Sequence, residues 1–325
     1  MTIRLLKKSI LCLVIAAAGV SIFSCGTQEK ITVVLDWTIN TNHAGVYAAL
    51  EKGYFTDEGL DVSIIPPPAT GAAGLLLSSR AQFGFSYQEE ITMARSQGHP
   101  LVAIAAVIQH NTSGFASRKS SGIVSPHDFE GKRYGGWGSP LEEAMIRALM
   151  ERDKGDFSRV KMLSIGSMDF FAATEHSVDF AWIFKGWDGV AAKLKGIDIN
   201  FISLSEIEPA LDYYTPVLAV TGGLVSSDPE LIQQFLRAAA KGYKWAAANP
   251  EAAGEILLHY APELDRELVM ASQRFLSGQY TADAPRWGEM KLDVWKNYAE
   301  WLEKYNLLSG EFTAEDAFTN EFLPE

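Results

Sequence analysis

The sequence predicts an α/β protein of two lobes, each a parallel sheet with helices on both faces. Two observations predict the class and a third predicts the lobes. Short apolar or β-branched runs alternate with helical segments as far as residue 221, the pattern of strands joined by crossover helices. About 300 residues follow an apolar leader, long for one core and comfortable for two. A polar stretch, Gln-His-Asn-Thr-Ser-Gly at 109–114, interrupts the alternation and marks a crossing between lobes. No internal repeat, low-complexity tract or linker rich in Gly, Ser and Pro is visible, so the lobes are expected to share crossing segments. The first lobe is assigned to 31–111 plus 223–325, the second to 112–222.

Residues 1–24 read as an address. Arg4, Lys7 and Lys8 form a basic start, and 9–23 is an apolar run of 15 residues. A membrane span needs ~20, so this run is too short to remain as an anchor. It ends in Ile22-Phe23-Ser24-Cys25, which resembles a bacterial lipobox and implies cleavage before Cys25 and lipid on its thiol and new amino group. The other cysteine, Cys12, lies in the leader, so the body is expected to hold no disulfide, thiolate nucleophile or cysteine metal cluster. Removing the leader leaves 25 of the 28 basic residues against 40 acidic ones. That balance disfavours nucleic acid and anionic membrane surfaces as partners.

The elements follow in order. Residues 31–35 are a β-branched run ending at Asp36-Trp37, then a polar loop, then a helix over 43–52 stopped by Gly53. Leu60–Ile65 is a strand ended by three prolines, 71–79 a short helix, 83–87 a strand, Gln88–Ser96 a helix and 101–108 a strand. The second unit has strands near 114–117 and 132–135, helices at Pro126–Phe129 and Pro140–Arg152, and a strand at 161–165. Helix 170–175, strand 179–184, helix 187–195 and strand 200–204 complete it. A strand at 214–221 can return the chain to the first lobe. Asp228 and Pro229 then cap and start a helix with one apolar stripe, Asn249-Pro250 starts the next, and a last long helix spans about 286–305. At helical spacing its aromatics read as core.

In open parallel sheets ligands sit beyond the carboxyl ends of the strands. Four loops qualify. The first supplies Asp36, Trp37, Asn40, Asn42 and His43, and the second Tyr87, Gln88 and Glu89. The third is Tyr-Gly-Gly-Trp-Gly-Ser-Pro-Leu-Glu-Glu at 134–143. Its glycines leave the backbone open to a close-lying ligand, with Trp137 as the flat face, Gly138 beside it, and Ser139 as N-cap with Glu142 as capping-box partner. The fourth, 180–189, repeats strand, glycine and tryptophan, and brings Trp182, Phe184, Trp187 and Asp188. Aromatic faces joined to amides and carboxylates suit a flat, polar, uncharged or weakly basic heterocycle. His43 reads either as a ligand contact or as the start of its helix. The histidines show no spacing for a shared metal, and no nucleophile elbow, Walker loop or dinucleotide fingerprint is present. No cofactor is expected.

Residues 35–45 (Leu-Asp-Trp-Thr-Ile-Asn-Thr-Asn-His-Ala-Gly) resemble the opening motif of substrate-binding proteins of thiamine-pyrimidine ABC importers, the formylaminopyrimidine-binding family. Residues 51–55, 58–62, 84–89, 134–143 and 182–189 extend the likeness. The resemblance implies a two-lobed periplasmic-binding fold of the second type, with ligand in the interlobe cleft. It further implies a monomer that hands a thiamine-precursor pyrimidine to an ABC permease and its ATPase, lipid-anchored on the extracytoplasmic side of the cell membrane. Related proteins bind riboflavin, which keeps a flavin as the alternative. The yeast pyrimidine-precursor synthase shares the fold but carries a cysteine-rich iron-binding motif and a pyridoxal-phosphate lysine. The cysteine-free body argues against enzymatic chemistry. Lys185 departs from the aromatic or uncharged residue expected in pyrimidine binders, and would either face solvent or meet an acidic or phosphorylated ligand. The hinge is expected near 109–114 and 220–223.

Overall fold

Apolar runs become strands wherever both faces can be buried. Ile31, Val33 and Val34 of β1 (Glu29–Val34) and all of Phe83, Gly84, Phe85 and Ser86 in β3 are enclosed. The computed structural model describes residues 29–68, 71–166 and 168–325. The leader, the lipobox and Cys25 lie outside these residues. The remaining strands are β2 (Leu60–Ile65), β4 (Leu101–Ala106), β5 (Ser113–Arg118), β6 (Arg133–Gly136), β7 (Lys161–Ser164), β8 (Phe180–Phe184), β9 (Ile199–Ser203) and β10 (Val217–Thr221).

They form two five-stranded sheets, ordered β2-β1-β3-β10-β4 and β7-β6-β8-β5-β9. The sheets are mixed rather than parallel. β10 runs antiparallel to β3 and β4, and β5 antiparallel to β8 and β9. Each of these two strands enters its sheet straight from a lobe crossing, without the crossover helix that a parallel neighbour requires. The two lobes thus repeat one topology that their residues do not reveal as a sequence repeat.

Three expectations need correction. The second lobe does not run to 222, because β10 pairs with both β3 and β4 and so belongs to the first sheet from Val217 onward. The hinge glycines fail for the same reason: Gly222 and Gly223 open a helix, Gly222–Ser227, on the first lobe. Nor does 223–325 belong to the first lobe alone. The last long helix is Leu292–Lys304, shorter than expected, and its aromatic stripe is core as expected. Its Trp295 packs in the first lobe, whereas Tyr298, Trp301 and Leu302 pack with Phe115 of the second and with Leu211 and Tyr213 of the crossing before β10. One helix therefore packs on both lobes, and its Val294 carbonyl accepts from Gln88 just past the end of β3.

Behind β1, helix Ala44–Glu51 crosses the long helix Pro229–Ala248 at a glycine pair. A Cβ on Gly242 would collide with the Gly45 carbonyl, and one on Gly45 with the Tyr243 ring. That close approach lets the Tyr243 hydroxyl donate to the Asn42 carbonyl at 2.7 Å, bracing the loop after β1 from behind.

Candidate functional site

A cleft of about 570 Å³ opens between the two sheets at the carboxyl ends of their parallel strands. The first lobe supplies the loop after β1. Here the Asn40 side chain accepts from Asn42 N–H at 2.9 Å, and Asn40 N–H donates to His43 Nδ1 at 3.2 Å, a reciprocal cap. His43 Nε2 then meets Asp36 Oδ1 at 2.7 Å. Burial pushes the Asp36 carboxyl up, but hydrogen bonds from His43 and Tyr87 outweigh it and hold the group below its ordinary value. Trp37, next along, is left 46% exposed over the cleft.

The loop after β3 places Tyr87 and Glu89 in the wall. Burial lifts the Glu89 carboxyl to about 7, helped by the charges of Glu90 and Glu142 and opposed by a hydrogen bond from Tyr213. Tyr213, Thr215 and Pro216, on the crossing that precedes β10, complete this side.

On the second lobe the turn after β6 carries Trp137, 52% exposed. The turn is held by Glu142, whose buried carboxylate accepts from Tyr134 OH at 2.6 Å, Ser139 N–H at 2.8 Å, Gly138 N–H at 2.9 Å and Trp137 N–H at 3.3 Å. After β7, Ile165, Gly166, Met168, Asp169 and Phe170 line the cleft. After β8 the expected α-helix starts as a π-helix, Lys185–Gly189, which delivers Trp187 and Asp188. Burial raises the Asp188 carboxyl to about 6, against a backbone bond from Phe184 N–H and with the charge of Asp169 adding to it.

The cleft gathers Asp36, Trp37, Asn40, Tyr87, Glu89, Trp137, Trp182, Phe184, Trp187 and Asp188 from both lobes. Five expected contacts sit elsewhere. His43 is fully buried and reaches the cleft only through Asp36. Gln88 is a clip: its amide bonds Tyr214 N–H at 2.9 Å and the Val294 carbonyl at 3.2 Å. Glu142 spends its carboxylate on its own turn, and Gly138 and Ser139 are donors to it rather than cleft lining. Gly135 and Gly136 line the cleft, as the glycine reading expects, but packing gives Gly136 a second reason. A Cβ on Gly136 would strike the Glu142 carboxylate and the Tyr134 ring, so that glycine makes room for a protein side chain. Lys185 is exposed, its Nζ 5.7 Å from the centre of the Phe201 ring and not in the cleft. The residues after β7 escaped notice although the strand-end rule covers them. Those at 213–216 carried no motif.

The family described as NMT1/THI5 like matches residues 40–253. The formylaminopyrimidine-binding protein of Halalkalibacterium halodurans is 28% identical over 90% of each chain. The riboflavin-binding protein RibY of Chloroflexus aurantiacus is 25% identical over 92% of this chain and 87% of its own. A 4-amino-5-hydroxymethyl-2-methylpyrimidine phosphate synthase of Legionella pneumophila is 22% identical over 92% and 93%. The periplasmic aliphatic sulphonate binding protein SsuA of Escherichia coli superimposes with a TM-score of 0.68 at 14% identity, covering 88% of this chain and 96% of that one. The architecture is thus the two-lobed periplasmic-binding fold, and the chain belongs to the NMT1/THI5-like family.

Proposed function

We propose that this protein is the extracytoplasmic substrate-binding component of an ABC importer, anchored through lipid on Cys25. In this reading it captures a pyrimidine precursor of thiamine, formylaminopyrimidine or hydroxymethylpyrimidine, as a monomer and delivers it to the permease and its ATPase. The observation that carries this reading is the placement of Trp37 and Trp137. Two half-exposed indoles from opposite lobes enter one cleft, among the carboxyl groups of Asp36, Glu89 and Asp188 and the amide of Asn40. Indole faces supply stacking area, and the polar groups select a ring by matching its donors and acceptors. The likeness to a formylaminopyrimidine-binding protein supports the choice of ring. No lysine or cysteine occurs among the described residues that line the cleft, which supports capture rather than synthesis.

Riboflavin is the second reading, favoured by volume. A cleft of about 570 Å³ sits mid-range for drug-sized ligands, ~300–1,000 Å³, and leaves room for a tricyclic ring. Native mass spectrometry of the purified protein separates the two: a retained pyrimidine mass supports the first, a flavin mass with its visible absorbance the second. Protein that retains neither, and takes up neither when supplied, contradicts both. The anchor is tested by Cys25→Ser, expected to move the protein from the membrane fraction to the soluble one. Continued membrane fractionation would remove the lipid site.

A further inference from the structure

We infer that the cleft excludes anionic forms of its cargo: it admits a neutral or cationic heterocycle and rejects the same heterocycle carrying a phosphate ester. The inference rests on the heterocycle-binding reading above and narrows its substrate class.

Charge is the first ground. Four carboxyl groups line the cleft, Asp36 and Glu89 from the first lobe and Asp169 and Asp188 from the second. Among the described lining residues there is no lysine, arginine or histidine. The cation nearest in sequence, Lys185, stands over Phe201 outside it. A phosphate in this space would gain no ion pair and would face Asp36, whose carboxyl is held ionised by its hydrogen bonds.

The second ground is independent of charge counting. Helix starts are where this fold could hold an anion on backbone N–H groups. Here the protein has filled three of those places with its own oxygens, while the helix Gln88–Ser96 carries no side-chain cap. The glycine-rich turn at 135–139, shaped like an anion cradle, closes on Glu142, whose carboxylate takes three of its backbone N–H groups. At the helix Phe170–His176, Asp169 Oδ1 takes the N–H groups of Phe171 and Ala172 at 3.0 Å each. At the loop after β1, Asn40 takes Asn42 N–H. At those three places an incoming phosphate would have to displace built-in acceptors. The Trp182 indole N–H, buried and without an acceptor, is a donor suited to a neutral ring nitrogen or carbonyl if the wall shifts on binding.

The test is a set of tryptophan-quench titrations at pH 8, above the values near 7 and 6 to which Glu89 and Asp188 are raised. The probes are 4-amino-5-hydroxymethyl-2-methylpyrimidine with its monophosphate, and riboflavin with its 5′-phosphate. Whichever parent binds, its ester should bind at least about 100-fold more weakly, and the double variant Glu89→Gln, Asp188→Asn should close about 10-fold of that gap. A wild-type ester that binds as tightly as its parent overturns the inference and leaves the heterocycle reading standing. If neither parent nor ester of either pair binds, the inference falls together with the reading beneath it.

Discussion

Glu142 shows how one buried carboxylate can organise a cleft loop by spending its oxygens on the loop's own donors. It ties the Tyr134 hydroxyl and three backbone N–H groups into the turn that presents Trp137. Glu142→Ala should therefore lower stability by about 1–3 kcal/mol, the range for stranding buried donors, measured as a shift in the urea midpoint. An unchanged midpoint would mean water replaces the carboxylate at no cost. Trp137 itself is half exposed, so Trp137→Ala should leave the melting temperature alone and weaken binding by about 1–3 kcal/mol in calorimetry. Trp37→Ala should behave alike, and unchanged affinity in both variants would remove the tryptophans from the site. Glu89 gives a pH signature. Its carboxyl is raised to about 7, so the folded state favours the protonated form. The stability this contributes is full below about 4.5, declines as pH rises, and is gone above about 7. Wild type should thus lose stability relative to Glu89→Gln between pH 4.5 and 7, followed by thermal melts. A gap that stays constant across that window would show that Glu89 ionises freely.

At the scale of elements, the π-helix Lys185–Gly189 is the piece that joins chemistry to architecture. The Gly186 carbonyl accepts from Ser272 on helix Arg266–Ser277, and the Ser272 hydroxyl also meets Thr41 Oγ1 at 2.6 Å on the other lobe. A Cβ on Gly186 would crowd Leu276 and Phe275, so the π turn lies flat on that helix. Ser272→Ala strands both partners and should weaken ligand binding and stability together. Loss of stability alone, with affinity intact, would show that the relay does not position Trp187 and Asp188. Much at this scale was legible in the chain. Leu60–Ile65, Gln88–Ser96 and Pro140–Arg152 form as their periodicity and capping residues direct, because those signals are local. Strand direction is not local. Nothing in Val217–Thr221 distinguishes an antiparallel partner for β3 and β4 from a parallel one, and the apolar run looks the same in either sheet. The cleft was legible where a rule about strand ends and aromatic loops applied. It was misread at Gln88 and Glu142, whose buried hydrogen-bond partners lie far off in sequence or are the loop's own backbone.

For the whole molecule, the account requires a ligand that touches both lobes, since an equilibrium shifts only by the difference in affinity for its two states. Asp36, Trp37, Tyr87 and Glu89 on one side, and Trp137, Trp187 and Asp188 on the other, provide that division. The chain crosses between the sheets after β4 and again before β10, and the helix Leu292–Lys304 packs on both cores. A ligand that draws the lobes together would act on the strand-end side, where Trp37 and Trp137 still have surface to bury and Ser272 already links the Gly186 carbonyl to Thr41. Small-angle scattering of the purified protein, with and without saturating ligand identified by native mass spectrometry, tests this most directly. The account predicts a smaller radius of gyration with ligand, and a smaller decrease in Trp137→Ala at saturation. A scattering curve unchanged by a ligand that demonstrably saturates the protein would contradict it.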